Sequence, residues 1–204
     1  MALRDRFTGI FQAVRPQAAV EQVYALLTYA PPAVLVALDD IRRRYDPAFK
    51  DGIKPHITIK RPTLLGQPQN LDAMVRELSQ VALQLKPFEV VLDGYNTFTK
   101  PDTNVAFLKV VDETAFCSLH TQVIEALVRV YHTSVADRFE GEAYHPHLTI
   151  GNNLSDLELA VMQHELHQGN VGLHFTFWIT SFTLMTQAAG QIWQTVATFN
   201  LAGS

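Results

Sequence analysis

Two five-residue segments of this chain are almost the same: Pro55-His56-Ile57-Thr58-Ile59 and Pro146-His147-Leu148-Thr149-Ile150. Each alternates polar and aliphatic residues, the period-two pattern of a half-buried strand. Successive side chains of a strand point to opposite faces. His56 and Thr58 therefore share one face, and Ile57 and Ile59 the other. His147 and Thr149 stand in the same relation to Leu148 and Ile150. The aliphatic faces need a core, which leaves the His/Thr faces to a cleft. Because the motif occurs twice, two imidazoles and two hydroxyls are expected to converge on one small site. By the same parity Lys60 joins the His56/Thr58 face and Arg61 does not, while His145 joins His147 at the edge of the cleft.

The segments around the motifs follow a repeated order. Residues 1–32 read as an N-terminal helical extension, with a helix over Gln17–Tyr29 stopped by Pro31-Pro32. Ala33–Leu38 reads as a buried strand and Ile41–Ala48 as a helix. After the first motif strand come a helix over Leu71–Leu85, a strand from Phe88 to Leu92, and turns at Asp93-Gly94 and Lys100-Pro101-Asp102. The second half gives a strand over Val105–Val111, a helix over Glu113–Tyr131 and the second motif strand. A helix capped by Ser155 and Glu158 follows, then strands within His174–Met185 and Gln191–Leu201. The pattern predicts an α+β fold of two pseudo-duplicated lobes, roughly 33–100 and 101–204, within one domain over 33–204. Two antiparallel sheets would face a central cleft, with helices on their outer faces.

Bulk properties narrow the function. The chain has 204 residues, 48% hydrophobic and 18% charged, with a net charge of −4. That is enough for a real core and speaks against stable binding of duplex nucleic acid. A nucleotide or short RNA needs only a few local cations. The single cysteine, Cys117, reads as a small buried hydrophobe. No apolar run reaches the length of a membrane span and Met1–Arg15 lacks the pattern of a signal peptide, so the expected location is the cytoplasm.

Histidine titrates near neutral pH, and two of them can divide a task. One removes a proton from the attacking group while the other protonates a leaving oxygen. That is what a 2′,3′-cyclic phosphate or a 2′-5′ phosphodiester requires. His56 and His147 are the candidate acid/base pair. Thr58 and Thr149, with Lys60, are the candidate phosphate-binding groups. A metal site built from His56, His145 and His147 would lack an acidic ligand beside either motif and would leave both threonines unexplained, so neither metal nor other cofactor is expected. Tyr95, Phe98 and Tyr144 lie nearest the motifs among the aromatics and are candidates to stack on a base, against a packing role. The other function class compatible with these residues is a non-catalytic module that holds a nucleotide or phosphorylated ligand in the same cleft.

The paired motifs, His56 with Thr58 and His147 with Thr149, resemble the His-x-Thr/Ser signatures of the two-histidine (2H) phosphoesterase superfamily. That superfamily includes 2′-5′ RNA ligase-like proteins and cyclic nucleotide phosphodiesterases. The resemblance runs from about Ala33 to Leu201. It implies a bilobal fold, a metal-independent phosphoesterase, and the four motif residues in the cleft. It does not choose between hydrolysis and ligation, or between RNA ends, oligonucleotides and small nucleotides.

Overall fold

The computed structural model describes residues 21–50, 52–100, 103–168 and 172–203. Eight strands form one antiparallel sheet in the order β6-β3-β4-β5-β2-β1-β7-β8. The motif strands β2 (His56–Leu64) and β5 (His147–Leu154) are its two central members. They divide it into two halves of four strands. On the β5 side lie β4 (Thr103–Val110), β3 (Phe88–Lys100) and the edge strand β6 (His174–Ile179). On the β2 side lie β1 (Gln22–Tyr29), β7 (Ser181–Ala188) and β8 (Gln194–Asn200). The mixed helix-and-strand class is as expected. The expected pair of separate sheets is instead a single sheet, because Ile57 pairs with Leu148 across the junction.

The strands do not sort into halves by chain order. β3, from the N-terminal part of the chain, pairs with β4 and β6. After Thr180 the chain crosses back, and β7 pairs with β1. The helices α1 (Pro32–Tyr45), α3 (Asn70–Gln84), α4 (Thr114–Tyr131) and α5 (Asp156–Gln168) supply the apolar cover, with a short α2 (Pro47–Lys50) after α1. Here α1 packs on β5 and α4 on β2, so each motif strand is backed by the helix that precedes the other one.

Three expectations are corrected. The helix over Gln17–Tyr29 is a strand from Gln22 onward; its first residues lie outside the described ones. Both faces of β1 are covered, with Tyr24 and Leu26 fully buried on one and Ala25 and Leu27 nearly so on the other. A strand buried on both sides loses its alternation and can mimic helical spacing. Residues 22–29 accordingly lie inside the sheet and not in an extension. The strand over Ala33–Leu38 is the start of α1, with Pro32 at its first turn and Val34, Leu38, Ile41 and Tyr45 on its buried stripe. The turn at Asp93-Gly94 is a bulge: β3 runs through it, Gly94 has φ 64°, and the register to β4 shifts between Leu92 and Tyr95. Pro101 and Asp102 lie outside the described residues.

Elsewhere the patterns hold. α4 buries Leu119, Val123, Ala126 and Leu127. At the start of α5 the Ser155 amide and hydroxyl both donate to Glu158, and the Glu158 amide donates back to Ser155 Oγ.

Candidate active site

Ile57 and Leu148 are the paired residues of β2 and β5, and both are buried. Counting outward in the antiparallel sense sets His56 opposite Thr149 and Thr58 opposite His147. All four are on the face away from Ile57 and Leu148, and all four are partly exposed. Directly opposed side chains have Cβ atoms about 5 Å apart and diagonal ones about 7–8 Å. The two imidazoles form one diagonal of this square and the two hydroxyls the other.

The two histidines are held alike. His56 Nδ1 lies 2.9 Å from the Lys54 carbonyl oxygen, and His147 Nδ1 lies 2.7 Å from that of His145. A carbonyl only accepts, so each Nδ1 carries the proton and each Nε2 is left with its lone pair when the ring is neutral. Burial pushes the pKa of both rings below the ordinary histidine value, against the opposing pull of those carbonyls. Positive charge on His56, His145 or Arg61 lowers His147 further. Phe98 and Phe107 fix the His147 ring from the side, at centroid separations of 5.2 and 4.9 Å.

Thr58, His147 and Thr149 open into a cavity of about 670 Å³, walled also by Arg61, Phe98 and Phe139. His56 is not part of that wall. It joins the site through the β2/β5 register and through its charge on His147. His145 lines the cavity, as parity anticipates, and its Nδ1 is 3.1 Å from Glu113.

Lys60 is the correction at this site. The register of β2 against β1 shifts twice between Thr58 and Thr63, and Lys60 stands opposite the core residue Leu26. A bulge re-aims the side chains after it. Lys60 therefore leaves the cleft face and is fully buried, with its ammonium 2.8 Å from Glu140 and 2.6 Å from Thr63 Oγ1. It is not free to hold a phosphate. Arg61, which parity excluded, lines the cavity instead, paired with Asp137 at 2.6 Å and lying 4.8 Å over the Phe139 ring.

Behind Thr58 lies a polar cluster that the sequence did not announce. Glu140 also accepts the backbone N–H groups of Arg61 and Asp137. His120 on α4 donates from Nδ1 to the Ile59 carbonyl and accepts the Gly141 N–H at Nε2. Its ring stacks on Tyr144 at 4.0 Å, and the Tyr144 hydroxyl donates to the Thr58 carbonyl at 2.8 Å. These bonds fasten residues 137–144, which supply Phe139 and Tyr144 to the cavity wall, onto the backbone of β2. Tyr144 is buried and packed here; Tyr95 contacts His167 edge-on. Among the described residues, no group of three His, Cys, Asp or Glu side chains is placed to hold a metal ion. No described helix is long and apolar enough to cross a membrane.

Comparison with known proteins points one way. A family model described as the 2′-5′ RNA ligase superfamily matches residues 30–191. A provisionally named phosphoesterase of Halalkalibacterium halodurans, BH1439, is 36% identical over 58% of this chain, a match spanning 63% of that protein and so a little under two thirds of it. A provisionally named phosphoesterase of Bacillus cereus, BCB4264_A1283, is 30% identical over 79% of this chain and 86% of its own length. Among solved structures, E. coli LigT superimposes with a TM-score of 0.63 at 16% identity, over 90% of this chain and 99% of LigT. LigT complexed with 3′-AMP gives 0.61 at 16% identity, over the same shares of the two chains. At that identity the structural likeness speaks for the fold.

Proposed function

The chain belongs to the 2′-5′ RNA ligase superfamily, and from that premise we propose that it is a metal-independent phosphoesterase in which His56 and His147 act as an acid/base pair. Its substrates are 2′,3′-cyclic phosphates or 2′-5′ phosphodiesters at RNA ends, on oligonucleotides or on nucleotides. The observation that carries the reading is the Ile57–Leu148 register, which turns both His-x-Thr pairs onto one face, with each Nε2 unclaimed among the described residues. A complex of the related fold with 3′-AMP supports a nucleotide as the ligand class.

In hydrolysis of a cyclic phosphate, one Nε2 takes a proton from water as the water oxygen bonds to phosphorus. The other ring, protonated at Nε2, gives its proton to the 2′- or 3′-oxygen as that P–O bond breaks. The product is a phosphomonoester beside a free hydroxyl, and the histidines have exchanged protonation states. Thr58 and Thr149 donate to the non-bridging oxygens, where negative charge grows in the transition state. Because burial disfavours the charged form of both rings, the bound phosphate's negative charge is what favours the one imidazolium the reaction needs.

The test is turnover of 2′,3′-cyclic nucleotides and 2′-5′-linked oligonucleotides in the presence of a chelator, by wild type and by the His56→Ala and His147→Ala variants. Turnover by wild type alone supports the reading. Saturable binding without turnover on any of these substrates would identify a binding module and defeat it.

A further inference from the structure

A second cavity, of about 270 Å³, adjoins the first, and Phe98 and His145 belong to the walls of both. Its other lining residues include Asn96, Phe107, Lys109 and Glu113. Lys109 stands opposite His147 in the β4/β5 register. Opposed side chains of an antiparallel pair share a face, so Lys109 rises from the same face of the sheet as the His147 imidazole, and its ammonium end leans over Gly94 of β3, toward the side of the cavity that Asn96 supplies. It is exposed, and among the described residues no carboxylate pairs with it. The acid in the cavity, Glu113, has its carboxylate 3.1 Å from His145 Nδ1. Asn96 accepts the Thr97 N–H at Oδ1, which leaves its amide –NH₂ to donate. Phe98 stacked on Phe107 at 4.3 Å forms an apolar ridge next to His147.

Lys109, on the residue opposite His147, and Asn96, on the next strand, offer an ammonium and an amide donor that the proposed reaction does not use. Resting on the function proposed above, we infer that this cavity takes a second phosphate of the substrate, one ribose away from the reacting phosphate, bound by Lys109 with Asn96 assisting. A 2′,3′-cyclic phosphate ends a chain. The phosphate one ribose away is therefore on the 5′-oxygen of the reacting nucleotide. Either a free 5′-phosphate or the internucleotide phosphate of a longer RNA supplies it. The preferred substrate is a 5′-phosphorylated cyclic nucleotide or an RNA end, in preference to a cyclic nucleoside phosphate with a free 5′-hydroxyl.

Binding of stable product analogues tests this separately from turnover. Adenosine 3′-phosphate, adenosine 3′,5′-bisphosphate and a diadenosine with a 3′-phosphate are titrated calorimetrically into wild type, Lys109→Gln and Lys109→Arg. One exposed charge pair is worth up to about fivefold in affinity, so wild type is expected to prefer the bisphosphate over the monophosphate by roughly two- to fivefold. The preference falls toward one in Lys109→Gln and persists in Lys109→Arg. A matching preference for the dinucleotide identifies the internucleotide phosphate as a sufficient source; a preference confined to the bisphosphate identifies the free 5′-phosphate. A wild-type ratio near one for both compounds, or a ratio that Lys109→Gln leaves intact, overturns the inference. Absent turnover of cyclic phosphates by wild type, with the binding ratio intact, would strike the proposed function and not the subsite.

Discussion

Ile57 stands opposite Leu148 at the centre of the sheet, and that pairing joins the two halves of the molecule. The joint is made on the apolar side, where the two side chains are 1% and 0% exposed. Its consequence appears on the other side, where each histidine faces the other motif's threonine.

Replacement of either histidine by alanine is expected to lower kcat by about 10²–10⁴-fold, with the far-UV circular dichroism spectrum unchanged. The double variant should lose little more than the worse single, since groups acting as a unit are not additive. Losses below tenfold in both singles would remove His56 and His147 from the chemistry.

The pH profile is expected to reflect two imidazoles whose pKa values burial lowers. Under the proposed acid/base pairing one ring is neutral and the other charged in the free protein, so kcat/KM is expected to be bell-shaped with its maximum below the ordinary histidine value of about 6.5. Bound phosphodiester favours the imidazolium, so the kcat profile should lie to higher pH. A kcat/KM optimum well above neutrality would contradict both depressions.

The Lys60–Glu140 pair is fully buried. Lys60→Met strands the carboxylate and is expected to cost about 3–5 kcal/mol, read from urea midpoints at constant m-value. Lys60→Met/Glu140→Gln removes the stranded charge but leaves an amide oxygen for only one of the Arg61 and Asp137 N–H groups, which donate to separate Glu140 oxygens, and should recover part of that loss. If the single variant is as stable as wild type, the pair does not hold the 137–144 segment.

His120 is expected to make stability depend on pH. Burial lowers its pKa in the folded protein, while the unfolded chain titrates at about 6.5. The unfolded state thus binds more protons below that value, so this contribution is complete above about pH 6.5 and lost as pH falls toward the depressed folded value. His56 and His147 add slope of the same sign. His120→Phe should be less stable at pH 7.5, yet lose less than wild type between pH 7 and pH 5.5. An unchanged slope would show that His120 is not the linked group.

Much of the site was legible because it follows from local rules. Alternation within five residues gave His56, Thr58, His147 and Thr149 a common polar side, and repetition gave them a common destination. The Ser155–Glu158 cap and the buried stripe of α4 were legible for the same reason, since each is a pattern confined to a few turns of chain. Where burial is two-sided, as in β1, or an apolar run is short, as at the start of α1, periodicity stops discriminating between helix and strand.

What the chain alone determined is which residues are the candidates for the chemistry: their types and their parity on a strand are properties of adjacent residues. Which groups reach the cleft was decided by tertiary structure. A double shift in the β1/β2 register drives Lys60 into the core and brings Arg61 to the cavity, and the β4/β5 pairing brings Lys109 beside His147. A bulge or a register depends on how a distant strand satisfies its backbone hydrogen bonds, and no pattern internal to one segment encodes that.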